Sequence, residues 1–167
     1  MAENPFSRLP SLQRTATLAK RRGMTAEPYV TVRKMGKYKY AFPQKKKMLI
    51  NGVLCVVSVQ RTCWLIQPNR PDGIQLTQVH AHKCKPSKSR PKVLIFDIRL
   101  GNGTRDQIYS ITREEFFLNF PSGHANIPTA GKRVYKSRGR FPWSLHRGGK
   151  ALKQCIAAVK KAQRQKS

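Results

Sequence analysis

The chain has 167 residues, 34 of them Lys or Arg against 7 Asp or Glu, giving a net charge of +27, and 39% of its residues are hydrophobic. No apolar run reaches the roughly 18 residues that a membrane-crossing helix needs, which excludes such a span. So large an excess of one sign repels itself in a compact molecule; a phosphate backbone neutralises it best, and an anionic membrane surface is the weaker alternative.

In chain order, Ser11 to Arg22 reads as a short basic helix closed by Gly23. Tyr29 to Lys34 and Tyr38 to Phe42 alternate as strands do, the second pairing aromatic with basic residues. Pro43 is expected to end that strand and leave Lys45, Lys46 and Lys47 in a loop. Met48 to Ile50 and Val53 to Val59 face each other across Asn51-Gly52, a dipeptide that tolerates positive φ and so signals a hairpin. Arg61 to Gln67 reads as a further strand, residues 68–73 as a turn, and Ile74 to His82 as an alternating strand. Lys83 to Lys92, with Pro86 and Pro91, is a basic loop. Val93 to Leu100 and Gln107 to Ile111 form the next hairpin around Gly101-Asn102-Gly103. Thr112 and Glu115 then make a capping box that starts a helix to Phe120, burying Phe116, Phe117 and Phe120. Near the end, Leu152, Cys155, Ile156, Val159 and Ala162 recur at helical spacing among lysines.

The charge is segmented. Met1 to Met48 carries +10, Lys83 to Lys92 +5 and Asn126 to Ser167 +12, whereas Leu49 to His82 and Val93 to Ala125 carry only +1 and −1. The organisation expected is a basic arm over residues 1–28, a β-rich core over 29–125 interrupted by a basic loop at 83–92, and a basic extension over 126–167. The arm's Arg, Ser and Thr content also suits an organellar targeting segment, although Glu3 and two early prolines do not. The fold class is α+β: a small, mostly antiparallel β core, as a sheet or partly open barrel. One short helix follows the last hairpin, a basic amphipathic helix ends the chain, and long basic extensions flank the core.

Three constellations invite chemistry. His80, His82 and Cys84 lie at period two, with Cys63 the nearest candidate for a further ligand, and these residue types suit zinc. Side chains two apart on a strand converge poorly, so no cofactor is expected. Asp97 and Asp106 flank one hairpin as a metal-dependent nuclease pair would, but pairing with Arg99 and Arg105 is the simpler reading. Cys55, Cys63, Cys84 and Cys155 include no CxxC and read as thiols in a reducing compartment.

The stretch from Gly131 to Lys150 holds seven cations, four glycines, three aromatic residues and no acid. Cations at that density reach successive phosphates, while Tyr135, Phe141 and Trp143 suit stacking on unpaired bases. The expected RNA contacts are therefore Lys45, Lys46, Lys47, Lys83, Lys85, Lys88 and Arg90 from the core, and Arg133, Tyr135, Lys136, Arg138, Arg140, Phe141, Trp143, Arg147 and Lys150 from the extension. A β-rich core with basic arms is similar in layout to ribosomal proteins as a class. That resemblance implies a noncatalytic, rRNA-binding component among neighbouring ribosomal proteins; the lack of any universal ribosomal signature points to a lineage-specific or organellar ribosome, the mitochondrial one favoured over the cytoplasmic. The competing expectations are a viral nucleocapsid or coat protein, an RNA-silencing suppressor, and, less favoured, a small nucleic-acid enzyme.

Overall fold

In a computed structural model of the chain, residues 4–66, 74–101, 106–130 and 141–166 are described. Helix α1 spans Pro10–Arg21 and is followed by strands β1 (Ala26–Met35), β2 (Tyr38–Ile50) and β3 (Val53–Gln60). Next come β4 (Trp64–Ile66), β5 (Ile74–His80), β6 (Val93–Ile98), β7 (Gln107–Thr112) and helix α2 (Arg113–Asn119). Strand β8 (His124–Ala130), a 3-10 turn at Trp143–His146 and helix α3 (Gly148–Gln165) complete the order. A five-stranded sheet runs β1-β2-β3-β6-β7 and a three-stranded sheet runs β4-β5-β8. All pairings are antiparallel except β3 with β6. The α+β class stands, as open sheets and not as a barrel.

Strand alternation divides the large sheet's two faces between separate apolar clusters. Cys55, Val57, Val93 and Ile95 turn to one face and meet Leu12, Ala16 and Ala19 of α1 with Leu152, Cys155 and Ile156 of α3. Leu94, Phe96, Ile98, Tyr109 and Ile111 turn to the other, against Val79 and Ile127 of the small sheet, Phe116 of α2 and Trp143. Covered on both faces, β6 is buried at every position. That is why its sequence is an almost unbroken apolar run.

The parallel pair governs where the basic loop lies. Antiparallel neighbours need only a tight turn, whereas parallel strands need a long crossover. Residues 61–92 make that crossover, carrying β4 and β5 out to the second sheet and returning through the basic loop. The loop closes where the Lys92 amide donates to Leu54 O at 2.8 Å. Its cations are thereby held at the end of β3 and β6, interior strands of the large sheet.

Local chemistry explains several elements. Asn51 and Gly52 have φ of 48° and 78°, and Asn51 Oδ1 accepts from the Thr25 amide at 2.8 Å. Thr112 Oγ1 accepts from the Glu115 amide at 3.2 Å, capping α2 as its sequence predicts. Phe116 is fully buried there, with Phe117 and Phe120 packed partly against the same cluster.

Three expectations change. Strand β2 does not stop at Pro43 but runs through it to Ile50, so Lys45, Lys46 and Lys47 lie on a strand, not in a loop. Only Lys47–Ile50 of β2 pairs with β3. Pro43 therefore sits in the two-stranded part, where a missing amide costs no ladder bond to a third strand. Secondly, the N-terminal segment read as an arm feeds the core through Phe6, Leu9 and α1, and Trp143 does so from the extension, while α3 docks through the apolar stripe its sequence shows. Thirdly, β8 falls across the expected start of the C-terminal extension. The turns at 68–73 and 102–105 lie outside the described residues.

Candidate nucleic-acid interface

The structure joins the two elements that carry the cations expected from the core. Lys45 and Lys46 are exposed on β2, and Lys47 Nζ donates to Ser89 O at 3.3 Å, tying the strand to the basic loop. Along the loop Lys83, Lys85 and Lys88 are exposed, while Arg90 is half-buried. A charge-bearing loop pinned to the sheet presents its cations with less ordering entropy to lose than a free tail.

Beyond Arg90 the surface sinks into a cleft of about 830 Å³ between the loop, the start of α2 and the second half of α3. Lys83, Arg90, Lys92, Arg113 and Lys166 line it, with Glu114 as its acid and Phe117, Val159 and Ala162 as apolar wall. Arg113 donates to His82 O at 2.8 Å and lies 4.6 Å over the Phe117 ring. Burial lowers its pKa from the ordinary arginine value, and the neighbouring Arg90 charge lowers it further against an opposing effect from Cys84. Arg90 Nε is buried with no hydrogen-bond partner. Two guanidiniums brought together, one with an unmet donor, are suited to an anion's oxygens. Lys92, Arg113 and Lys166 were not singled out from the sequence. Nothing local marks them, because the cleft joins a loop to a helix that begins more than fifty residues later.

The aromatic residues of the extension separate by burial. Trp143 is only 5% exposed. Its ring stacks on Phe120 at 5.8 Å and 12° and meets Phe96 and Tyr109 edge-on, so it offers no face to a base. The base-stacking role expected of it gives way to a core role, because a large ring gains more by filling the space over Phe96 than by lying in water. Phe141 is half-buried, 4.9 Å from the rings of both Trp143 and His146. Arg147 and Lys150 are exposed at the start of α3. Arg133, Tyr135, Lys136, Arg138 and Arg140 lie outside the described residues.

His80 and His82 come within 5.8 Å ring to ring, and His124 of β8 approaches His80 equally closely. Cys84 is exposed and Cys63 is half-buried. Among the described residues no three His, Cys, Asp or Glu side chains are grouped to hold a metal ion. Asp97 is completely buried on the helix-facing side of β6. Arg14 of α1 pairs with one of its oxygens, and Arg99 donates to the other at 3.0 and 2.7 Å. Asp106 stands 3.8 Å from the same Arg14. The two acids are thus joined through a shared arginine.

Among the described residues no helix is long and apolar enough to cross a membrane. Comparison with protein families, with curated proteins and with solved structures finds no match for this chain.

Proposed function

We propose that this chain is a noncatalytic RNA-binding structural protein of a ribonucleoprotein particle, foremost a ribosome, with rRNA and neighbouring ribosomal proteins as partners and the mitochondrial ribosome favoured. One observation carries the reading: the basic surface where the loop, tied to β2 by Lys47 on Ser89 O, brings Lys83, Arg90 and Lys92 into a cleft with Arg113. A folded protein gains nothing by assembling such a surface unless a polyanion covers it. RNA backbones supply that charge at the spacing of successive side chains. The engagement of Asp97 by two arginines supports a structural role for that acid.

Sedimentation of lysates with and without RNase tests the setting. Co-migration with a ribosomal subunit, abolished by RNase, is expected; a self-assembled particle of this chain would instead support a nucleocapsid or coat protein. Direct binding tests the chemistry. The affinity of the full chain for RNA should fall linearly on a log–log salt plot, by about 0.7–0.9 in slope per phosphate contacted. Replacing Lys45, Lys46 and Lys47 by Gln should flatten that slope by about two to three units. A salt-independent affinity, or no RNA binding, would refute the reading.

A further inference from the structure

The β1–β2 hairpin leaves the body of the molecule. Beyond Lys47 strand β2 has no third partner, and from Val32 to Pro43 every residue is exposed. The register places Tyr38 opposite Met35, Tyr40 opposite Arg33 and Phe42 opposite Thr31. Tyr38, Tyr40 and Phe42 therefore stand in a row on one face of the ribbon, with successive ring centroids 6.3 and 6.2 Å apart. They are 67%, 44% and 45% exposed. Among the described residues, most of the exposed large apolar side chains are on this ribbon. Such a concentration marks a binding face.

The charge identifies the occupant. From Pro28 to Met48 the sequence has seven Lys or Arg and no acid. A second copy of this chain, or a basic partner, would bring like charges together along the ribbon, and cations on an edge strand discourage strand pairing. Unpaired RNA supplies both complements: π-faces for a row of rings and phosphates for the cations beside them.

Resting on the RNA-binding reading, we infer that Tyr38, Tyr40 and Phe42 form a stacking ladder for consecutive unpaired bases. Arg33, opposite Tyr40 on the same face, meets a flanking phosphate. The ladder gives the protein a preference for single-stranded segments that the cationic loop and cleft do not provide. Tyrosine and phenylalanine are interchangeable in this role because stacking uses the ring face and not the hydroxyl.

The experiment compares a fluorescein-labelled U12 strand with a 12-base-pair RNA duplex, using the full chain. The triple variant Tyr38→Ala, Tyr40→Ala, Phe42→Ala should lose at least tenfold in affinity for the strand. It should change by less than twofold on the duplex and keep its salt slope. Tyr38→Phe with Tyr40→Phe should bind both as the parent does. Ultraviolet crosslinking of the parent to U12 should yield adducts within residues 38–42, a readout that does not depend on the ribbon surviving mutation. Equal losses on strand and duplex, no loss, crosslinks confined elsewhere, or a parent dimer abolished by the triple variant would each overturn the ladder. If the parent binds RNA with steep salt dependence while the ladder fails, the functional reading survives; if the parent binds neither RNA, that reading fails first.

Discussion

The Asp97 carboxylate is held by one guanidinium from α1 and another from its own strand. Asp97→Asn keeps the volume and removes the charge, leaving Arg14 and Arg99 facing each other across an amide. Breaking a buried pair from one side is costly, and with Arg14 a third exposed we expect a loss of about 3 kcal/mol. Urea unfolding checks this; a variant as stable as the parent would mean that the acid has no structural role. The sequence suggested the Arg99 contact, two residues away, but not the one with Arg14, which lies 83 residues distant and faces Asp97 only after α1 packs on the sheet. Trp143 is similar. Read beside seven cations it resembles a base-stacking ring, and only the fold reveals Phe96, Phe116 and Phe120 waiting for it. Trp143→Ala should cost about 3–5 kcal/mol of stability. Its RNA affinity, measured well below the melting temperature, should be unchanged; a specific loss of affinity without loss of stability would reverse the assignment.

At the level of elements, legibility followed the range of the signal. The Asn51-Gly52 hairpin, the capped helix α2 and the C-terminal helix α3 declare themselves within a few residues, and the structure has all three. Strand β8 does not. His124–Ala130 alternates Ala125, Ile127 and Thr129 inward with His124 and Asn126 outward, but Pro128 and its small side chains mask the pattern, and it becomes a strand by pairing with the edge of β5. Pro128 is tolerated because β8 is itself an outer strand. Gly123 opens this strand at φ 83°, and a Cβ there would lie 2.8 Å from Ala81 O. Gly123→Ala therefore combines left-handed strain with a backbone clash and should cost about 1–3 kcal/mol. Hydrogen exchange should report the loss first in β5 and β8, with β6 and β7 protected. Uniform loss across both sheets would show that they unfold as one unit. Strand β2 is the complementary case: Pro43 and three consecutive lysines argue against a long strand, and pairing with β1 overrides them.

The whole molecule combines a charged exterior with a thiol-bearing interior. Cys55 of β3 and Cys155 of α3 are buried in the cluster between the sheet and the helices. Burial pushes both thiols up, Cys155 to about 12 with weaker help from Glu115, and Cys55 further with weaker help from Cys155. A thiol whose folded pKa is raised stabilises the native state fully below its unfolded pKa, near 9, and loses that contribution as pH rises toward the folded value. Stability should hold to about pH 8.5 and then fall by up to about 1.4 kcal/mol per pH unit per thiol. Alanine at both positions should remove that slope, whatever it does to packing. Exposed Cys84 should react with a thiol reagent in the native protein, and Cys55 and Cys155 only after unfolding. The parallel β3–β6 pair has a consequence for synthesis. While residues 61–92 are being made, the apolar edge of β3 has no neighbour, and β6 can join it only after the basic crossover has closed on itself. Closure gathers like charges, so a polyanion present at that moment should speed it. If the proposed function holds, a nascent chain that meets RNA early should escape aggregation, and one made in excess should not.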